Sequence, residues 1–208
     1  MANDNFPRGL VPRNWFSMPY NYYRVQSGND IFLGEIVDFD STGYVTNALT
    51  VTSNGNGVTG LGVAVGFAGP LKKGLANDDP YLDASDLTTL ATGLDAGDRW
   101  VAVADSPDQE FIVQADTGGT LATLAAAGEA AVLIYRVGGS GNVTTGWANL
   151  ELDASSNGTG TNNVVQILRL HDAINVDGTE NTGGANYAKW VVKILNHRKR
   201  GIQVGVIV

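Results

Sequence analysis

The sequence predicts an all-β protein, mainly β with one or two short helices, in which a small β-barrel or sandwich body carries an extended N-terminal arm. Glycine accounts for 27 of 208 residues, nearly twice the usual share of about 7%. Charged residues make up only 16%, against a usual value of about 25%. Short β-type runs alternate with turn-rich stretches along most of the chain, which is typical of sheet proteins.

The predicted arm covers residues 1–27. Pro7, Pro12 and Pro19 interrupt every window long enough for a helix, so we expect no regular element here. The arm cannot form a core of its own, and its aromatic side chains need burial. We therefore expect it to lie along another surface, of its own domain or of a neighbouring chain. Its aromatic residues are Phe6, Trp15, Phe16, Tyr20, Tyr22 and Tyr23.

The predicted body covers residues 28–208, with two β subdomains possible and a boundary near 70–100. We expect 34–40 and 60–66 to be two strands of one small barrel. Short helices are plausible at 120–128 and 84–91. The β-type runs are 31–39, 61–67, 100–104, 110–115, 131–137, 148–152, 164–170, 189–195 and 202–208. The turn-rich stretches are 53–57, 106–109, 138–142, 155–163 and 177–184.

The net charge of −8 is distributed unevenly along the chain. Residues 1–29 carry +2 and residues 189–208 carry +5, which leaves −15 on residues 30–188. Such an acidic body does not suit nucleic acid, which needs a continuous positive footprint. It suits a body that repels its neighbours while its basic ends attach to a partner.

The sequence offers little for catalysis or cofactor binding. Ser140 lies in a stretch that lacks the final glycine of a nucleophile elbow. No neighbouring pattern orients His171 or His197, and we expect His197 to be solvated at a strand end. The glycines of 60–66 have the wrong spacing for a dinucleotide fingerprint. We therefore expect no catalytic residue, no cofactor and no small-molecule substrate.

Structural metal binding is also not expected. The sequence has no cysteine, which excludes disulfides and thiolate sites. Residues 38–43 match the opening of a calcium loop, but position twelve is Leu49, where a carboxylate is required. Asn175, Asp177 and Glu180 are possible cation ligands, although ordinary turns use the same residue types. No apolar run is long enough to cross a bilayer and no signal sequence is present, so we expect a soluble protein that makes no membrane contact.

Several motifs, in order along most of the chain, resemble those of the decoration, or cement, proteins of tailed-bacteriophage capsids. They are NFPRGLVP at 5–12, GEIVDFDSTGYV at 34–45, LGVAVG at 61–66, WVAVADSPDQEF at 100–111, ELDAS at 151–155 and VVKILNH at 191–197. The resemblance implies a virion structural protein, made in the host cytoplasm, that binds the outer surface of an icosahedral shell. It further implies a homotrimer that clamps adjacent subunits of the major capsid protein, with no catalytic residues.

The expected contacts with the capsid or a neighbouring subunit are aromatic residues of the arm and basic residues of both ends. They are Phe6, Arg8, Arg13, Trp15, Phe16, Tyr20, Arg198, Lys199 and Arg200. Two other classes remain open. One is a receptor- or glycan-binding module of a tail or fibre, for which Trp147 is the candidate aromatic residue. The other is a small β-barrel hydrolase, which the missing nucleophile and base disfavour.

Overall fold

The computed structural model describes residues 7–14, 16–25, 30–48, 59–68, 81–82, 99–116, 127–135, 140–157, 163–172, 180–182 and 186–200. These ranges contain eleven β-strands, one 3-10 helix at Arg198–Arg200 and no α-helix. The prediction of an all-β protein is confirmed. Of the two predicted helices, 84–91 lies outside the described residues, and only 127 and 128 of 120–128 are described, as a turn.

The strands are named in chain order. They are β1 (Val11–Pro12), β2 (Asn21–Arg24), β3 (Ile36–Phe39), β4 (Val45–Asn47), β5 (Gly62–Ala68), β6 (Trp100–Ala104), β7 (Phe111–Gln114), β8 (Ala130–Tyr135), β9 (Leu150–Asn157), β10 (Val165–Leu170) and β11 (Lys189–Ile194).

The strands form two sheets in which all neighbouring strands run antiparallel. The six-stranded sheet has the order β1-β7-β11-β10-β8-β9, and the five-stranded sheet has the order β2-β6-β5-β3-β4. A bridge between Ala115 and Leu152 brings the end of β7 against β9, so the six-stranded sheet curls back on itself. Apart from β1, the five-stranded sheet uses the chain up to Ala104 and the six-stranded sheet uses the chain from Phe111 onward. Most of 70–100, the predicted subdomain boundary, lies outside the described residues.

The predicted β-type runs locate eight of the eleven described strands and miss β1, β2 and β4. The run 100–104 coincides with β6, and β3 pairs with β5 as expected, with Ile36 opposite Val63. Within 31–39 only β3 is a strand, because Gly34 takes a positive φ of 84° that interrupts the extended chain. The predicted loop at 155–163 begins too early, since β9 continues through Asn157, which pairs with Ala131. The run 202–208 lies outside the described residues.

The N-terminal segment, by which we mean the described part of residues 1–27, contributes one strand to each sheet. This corrects the prediction that it contains no regular element. Strand β1 pairs with β7 at the edge of the six-stranded sheet, and β2 pairs with β6 at the edge of the five-stranded sheet. Pro12 fits β1 because an edge strand has one side on which no N–H is needed. Leu10 and Val25 are both fully buried. The segment therefore packs within its own subunit along much of its length.

A close crossing of two glycines seats this segment on the body. Gly9 has a φ of 64° and Gly34 a φ of 84°. A Cβ on Gly9 would lie 2.4 Å from the Gly34 carbonyl oxygen, and a Cβ on Gly34 would lie 2.2 Å from the Arg8 carbonyl oxygen. The Leu10 N–H donates to that Gly34 oxygen at 2.8 Å. A side chain at either position would push the two crossing segments apart, so both glycines are required by the packing.

Two apolar clusters form the core. The larger cluster lies between the two sheets and includes Trp190 of β11 and Phe111 of β7, while the smaller lies on the other face of the five-stranded sheet. On β6, Ala102 faces the larger cluster, whereas Val101 and Val103 face the smaller one. Both faces of this strand are buried, which explains its nearly continuous apolar sequence.

A substitution at Leu10 tests whether the N-terminal segment is part of the fold. We expect Leu10→Ala to lower the free energy of unfolding by about 2–5 kcal/mol, because a fully buried leucine is truncated in the larger cluster. The matched control is Phe16→Ala, which changes a fully exposed side chain of the same segment and is expected to stay within about 0.5 kcal/mol. Urea unfolding followed by circular dichroism measures both. Equal, small effects would mean that the segment does not contribute to folding.

Candidate interaction surface at the chain ends

The basic residues near the C-terminus form a compact turn on the body. Arg198–Arg200 is a 3-10 helix that follows β11 after a short connection. The Gly60 N–H donates to the Asn196 carbonyl at 3.0 Å, and the Arg198 N–H donates to the Gly60 carbonyl at 2.9 Å. The turn is therefore held by the chain that leads into β5. We call Arg198, Lys199 and Arg200 the basic turn.

Each side chain of the basic turn is paired with an acid of the body. Arg198 contacts both carboxylate oxygens of Asp38 at 2.5 Å. Lys199 Nζ lies 2.5 Å from Asp105, and Arg200 lies 2.6 Å from Asp108. The prediction that these basic residues contact a partner stays a prediction, since their side chains remain 31–44% exposed. Their charges are nevertheless largely neutralised within the chain.

Asp105 is the centre of this arrangement. Its residue is 3% exposed, and its carboxylate accepts hydrogen bonds from Asn21 and Tyr23 of β2 as well as from Lys199. Burial alone would raise the pKa of Asp105, but the bonds from Lys199, Tyr23 and Asn21 outweigh burial and hold the pKa below its usual value. Asp105 therefore joins the N-terminal segment to the basic turn.

Glu110 makes a second connection to the N-terminal segment, on the loop after β6 that also contains Asp105. Arg169 donates to both of its oxygens, at 3.2 and 2.7 Å, and Arg13 Nη1 donates at 2.9 Å. The Arg13 N–H also donates to the Glu110 carbonyl at 3.0 Å. The bond from Arg169 is the main reason that the pKa of Glu110 lies below its usual value, and Arg13 adds to it. This places Arg13 beside the loop that holds Lys199 and Arg200.

The two chain ends thus meet on residues 105–110, the connection between β6 and β7. We call this site the terminal cluster. Its members are Arg13, Asn21, Tyr23, Asp105, Asp108, Glu110, Arg169, Lys199 and Arg200. Sequence reasoning identified Arg13, Lys199 and Arg200 but missed the acids. The available signal was the position of Asp105, directly after the apolar run 100–104, where the chain leaves the core.

Exposed aromatic side chains lie on the chain between Arg13 and Tyr23. Phe16 is fully exposed, Tyr20 is 51% exposed and Tyr22 is 39% exposed. The Tyr20 and Tyr22 rings meet edge to face with centroids 5.7 Å apart. Strand alternation places Tyr22 on the face opposite Asn21 and Tyr23. We call Phe16, Tyr20 and Tyr22 the aromatic ridge, in which the two tyrosines contact each other.

The backbone of β2 is paired with β6 on one side, and Val25, directly after β2, bridges Val45 of β4. Among the described residues β2 has one neighbour in its sheet, β6. The Val25 N–H donates to the Arg99 carbonyl at 3.0 Å, so the antiparallel alternation directs the N–H groups of Tyr22 and Arg24 away from β6. The aromatic ridge therefore borders the part of the β2 edge that precedes the bridge to Val45.

The remaining predicted contact residues lie elsewhere. Phe6 and Trp15 are outside the described residues. The Arg8 guanidinium lies over the Trp147 ring, 5.8 Å from its centroid, and a backbone bridge joins Leu33 to Trp147. Arg8 therefore does not belong to the terminal cluster. Trp147, the candidate for a glycan site, is half-buried and has one ring face covered.

His197 is buried, which corrects the prediction of a solvated residue. It is 4% exposed and bridges the backbone of Gly60. Its Nδ1 accepts a hydrogen bond from the Lys199 N–H at 3.1 Å. Burial, followed by the charge of Arg200, lowers its pKa below the usual value. The imidazole is therefore a structural part of the basic turn.

The stretches considered for catalysis and metals are turns where they are described. Gly141 and Ala148 close a hairpin around Asn142, which accepts from the N–H groups of Thr144 and Thr145. Asp40 accepts from the Thr42 and Tyr44 N–H groups in the same way. No group of three or more acidic or histidine side chains suited to a metal occurs in the described ranges. Asn175 and Asp177 fall outside them.

A second buried polar group joins the two sheets. Glu35 is fully buried and accepts hydrogen bonds from the Phe32 N–H at 3.0 Å, from Tyr135 of β8 at 2.5 Å and from Asn47 of β4. Burial raises the pKa of Glu35 to about 8, although these hydrogen bonds oppose the shift. Sequence reasoning missed this carboxyl, because only its apolar neighbours at 31–39 signalled burial.

Three comparisons with known proteins give no match that could identify the fold or the site. No family model, no curated protein and no solved structure matches this chain. Within the described part of the chain, no helix has the length and apolar character needed to span a bilayer. The resemblance to capsid decoration proteins therefore rests on the sequence motifs alone.

The buried carboxyl of Glu35 predicts a pH dependence of stability. Between about pH 4.5, its ordinary pKa, and about pH 8, the folded protein keeps a proton that the unfolded chain releases. The free energy of unfolding therefore falls as pH rises through this window, by at most about 1.4 kcal/mol per pH unit from this group. We expect Glu35→Gln to remove that fall, since glutamine does not titrate.

Urea unfolding from pH 5 to 8 measures this dependence. The control is Glu110→Gln, because the pKa of Glu110 is lowered and its contribution is lost only in acid, below about pH 4.5. The free energy of unfolding of the Glu35→Gln protein could instead fall between pH 5 and 8 as steeply as that of the original chain. That result would show that Glu35 does not hold a proton in the folded state.

A pair of substitutions tests the role of Asp105. We expect Lys199→Met to lower the free energy of unfolding by about 1–3 kcal/mol, because it removes a partner from a buried carboxylate. Arg200→Met is the matched control, since the Asp108 side chain is 90% exposed and an exposed pair contributes about 0–1 kcal/mol. Urea unfolding near pH 7 measures both. Equal losses would mean that burial of Asp105 does not govern the stability of the cluster.

Proposed function

We propose that this protein is a capsid decoration protein of a tailed bacteriophage, which binds the outer surface of the shell and clamps adjacent subunits of the major capsid protein. The observation that carries the proposal is the aromatic ridge beside the terminal cluster. The sequence motifs and the polarised charge support the same function. The proposal includes a homotrimer, located on the virion exterior, with no catalytic role.

The ridge has the chemistry of an attachment surface. Aromatic side chains dominate the energetics of protein interfaces because each offers about 150–250 Å² of area with few rotatable bonds. Phe16 is fully exposed, so all of its apolar surface is available to a partner. The paired arginines and carboxylates beside it form a polar rim, which sets orientation more than affinity.

The fold limits how the N-terminal segment can reach a partner. Leu10 and Val25 are buried in the same subunit, so the described chain between them is held on the body at both ends. At about 3.3 Å per residue, this stretch is too short to cross a neighbouring subunit. We therefore assign attachment by the described part of the arm to exposed side chains on a folded surface.

Attachment through several linked copies would be strong even if each aromatic ridge binds the shell weakly. One ridge buries a modest area, and ordering its side chains offsets part of the gain. In a trimer the second and third attachments are intramolecular, which raises the overall affinity without new contacts. The proposed trimer is thus a functional requirement as well as a consequence of the family resemblance.

Shell binding tests the proposal. We expect the triple variant Phe16→Ala, Tyr20→Ala, Tyr22→Ala to bind empty shells at least about tenfold more weakly, a loss of about 1.4 kcal/mol or more. The shells are assembled from the major capsid protein of the phage that encodes this chain, and co-sedimentation measures occupancy. Melting temperature is expected to stay unchanged, because the three side chains are exposed.

The control is Val143→Ala, which alters a 60% exposed residue on the hairpin around Asn142. It is expected to bind like the original protein. No binding of the original protein to shells would overturn the function, and unchanged binding of the triple variant would overturn the assignment of the surface. Binding to a glycan array in place of shells would favour the receptor-binding alternative.

A further inference from the structure

We propose that His197 is a pH-sensitive catch, which holds the basic turn on the body at neutral pH and releases it when the imidazole gains a proton. The inference rests on the proposed function in that it treats the basic turn as part of the attachment surface. It concerns the regulation of that surface, and the catch itself can be tested on the isolated protein.

The geometry assigns the protonation state of the neutral ring. Because Nδ1 accepts from the Lys199 N–H at 3.1 Å, the single proton of a neutral imidazole lies on Nε2. Nε2 is buried and has no hydrogen-bond partner among the described residues. The carbonyl of His197 also accepts from the Arg200 N–H at 3.0 Å. His197 therefore supports the backbone of the basic turn through both its ring and its main chain.

A second proton is incompatible with this arrangement. It adds a hydrogen at Nδ1, which then faces the Lys199 N–H, so a hydrogen bond is replaced by two opposed donors. The ring would also carry a full charge at 4% exposure, without an acceptor on either nitrogen in the described contacts. The ring and the turn can relieve this only by moving apart.

The charged groups around His197 do not compensate. Arg200 and Lys199 disfavour the protonated ring, whereas Asp105 and Asp108 favour it. These two acids already contact Lys199 and Arg200. From β3, Asp38 faces the turn but is paired with Arg198. Burial is the largest effect and also favours the neutral ring. The surroundings therefore favour the neutral ring in the closed state, in which the basic turn is held on the body.

Release changes what the surface offers to a partner. In the closed state Arg198, Lys199 and Arg200 are occupied by acids of the same chain. Once the turn moves away, its guanidinium and ammonium groups are free to meet carboxylates of another protein. An acidic medium would then increase the contribution of this turn to attachment, and a neutral medium would favour internal pairing.

The two histidines of the chain allow a direct test by NMR. We expect His197 to titrate with a midpoint below 6.5, its ordinary value, and His171→Asn assigns the two signals. Hydrogen exchange of the Lys199 and Arg200 amides, corrected for intrinsic rates, is expected to rise several-fold, up to about tenfold, between about pH 7.5 and about pH 5.5. A midpoint at or above 6.5, or unchanged protection, would overturn the proposal.

The informative variant is His197→Asn. The asparagine Oδ1 occupies a place close to that of Nδ1 and accepts the same N–H, but the side chain does not titrate. We expect protection of the turn to become independent of pH in this range. Opening of the variant in acid to the same extent would place the switch in another group and refute the catch. The titration of the original protein stands independently should the variant fold poorly.

Shell binding at both pH values separates this proposal from the proposed function. If the catch opens in acid and attachment changes with it only when His197 is present, both are supported. If the catch opens while attachment to shells is absent at either pH, the proposed function fails and the catch remains. If attachment occurs but the turn stays protected in acid, the catch fails and the function remains.

Discussion

Neutralisation of buried carboxylates is the constraint on which the arrangement of both chain ends depends. Asp105 lies at the end of β6, at 3% exposure, and an unpaired carboxylate at that depth would destabilise the fold. The acidic body has few cations of its own, since residues 30–188 carry −15. The N-terminal segment supplies Asn21 and Tyr23, and the basic turn supplies Lys199. The cations of the basic turn are thus paired with acids of the same subunit.

The two sheets are joined by a different kind of contact. The larger apolar cluster lies between them, and a single buried carboxyl, Glu35, bonds to Tyr135 on one side and Asn47 on the other. Its raised pKa means that the network is most stable when the carboxyl is protonated. Asp105 behaves in the opposite way, because its donors include a cation. Burial thus governs the charge of Glu35, whereas the donors around Asp105 outweigh burial.

Short-range patterns in the sequence were enough to predict the fold class and most strands. Apolar runs bounded by turn residues located β6 at both ends and β5, β10 and β11 within one or two residues. They failed at the three-residue β4, which no predicted run covers, and at β1 and β2, because three prolines argue locally against regular structure. What makes β1 and β2 strands is pairing with Ile112 and with Val101 and Val103, far along the chain. Local propensity contains no information about such partners.

The candidate site was harder to predict for the same reason. The basic residues were evident, but the acids that pair with them lie 160, 94 and 92 positions away. The burial of His197 depends on a backbone bridge to Gly60, which no neighbouring residue indicates. Composition identified the residue types that matter, and only the topology shows that Lys199 and Arg200 meet their acids on residues 105–110 while Arg198 meets Asp38 of β3.

This topology has a mechanical consequence for attachment. The loop 105–110 connects β6 of the five-stranded sheet to β7 of the six-stranded sheet, so a load applied at the terminal cluster is passed to both sheets. The aromatic ridge is fixed to the same loop through Asn21 and Tyr23. A partner bound to the ridge therefore pulls on the paired core and not on a free segment. Because those anchors are hydrogen bonds to a buried carboxylate, they are screened little by salt, whereas rim contacts between exposed charges are screened strongly. Under the proposed function, attachment strength and fold stability are consequently coupled through Asp105.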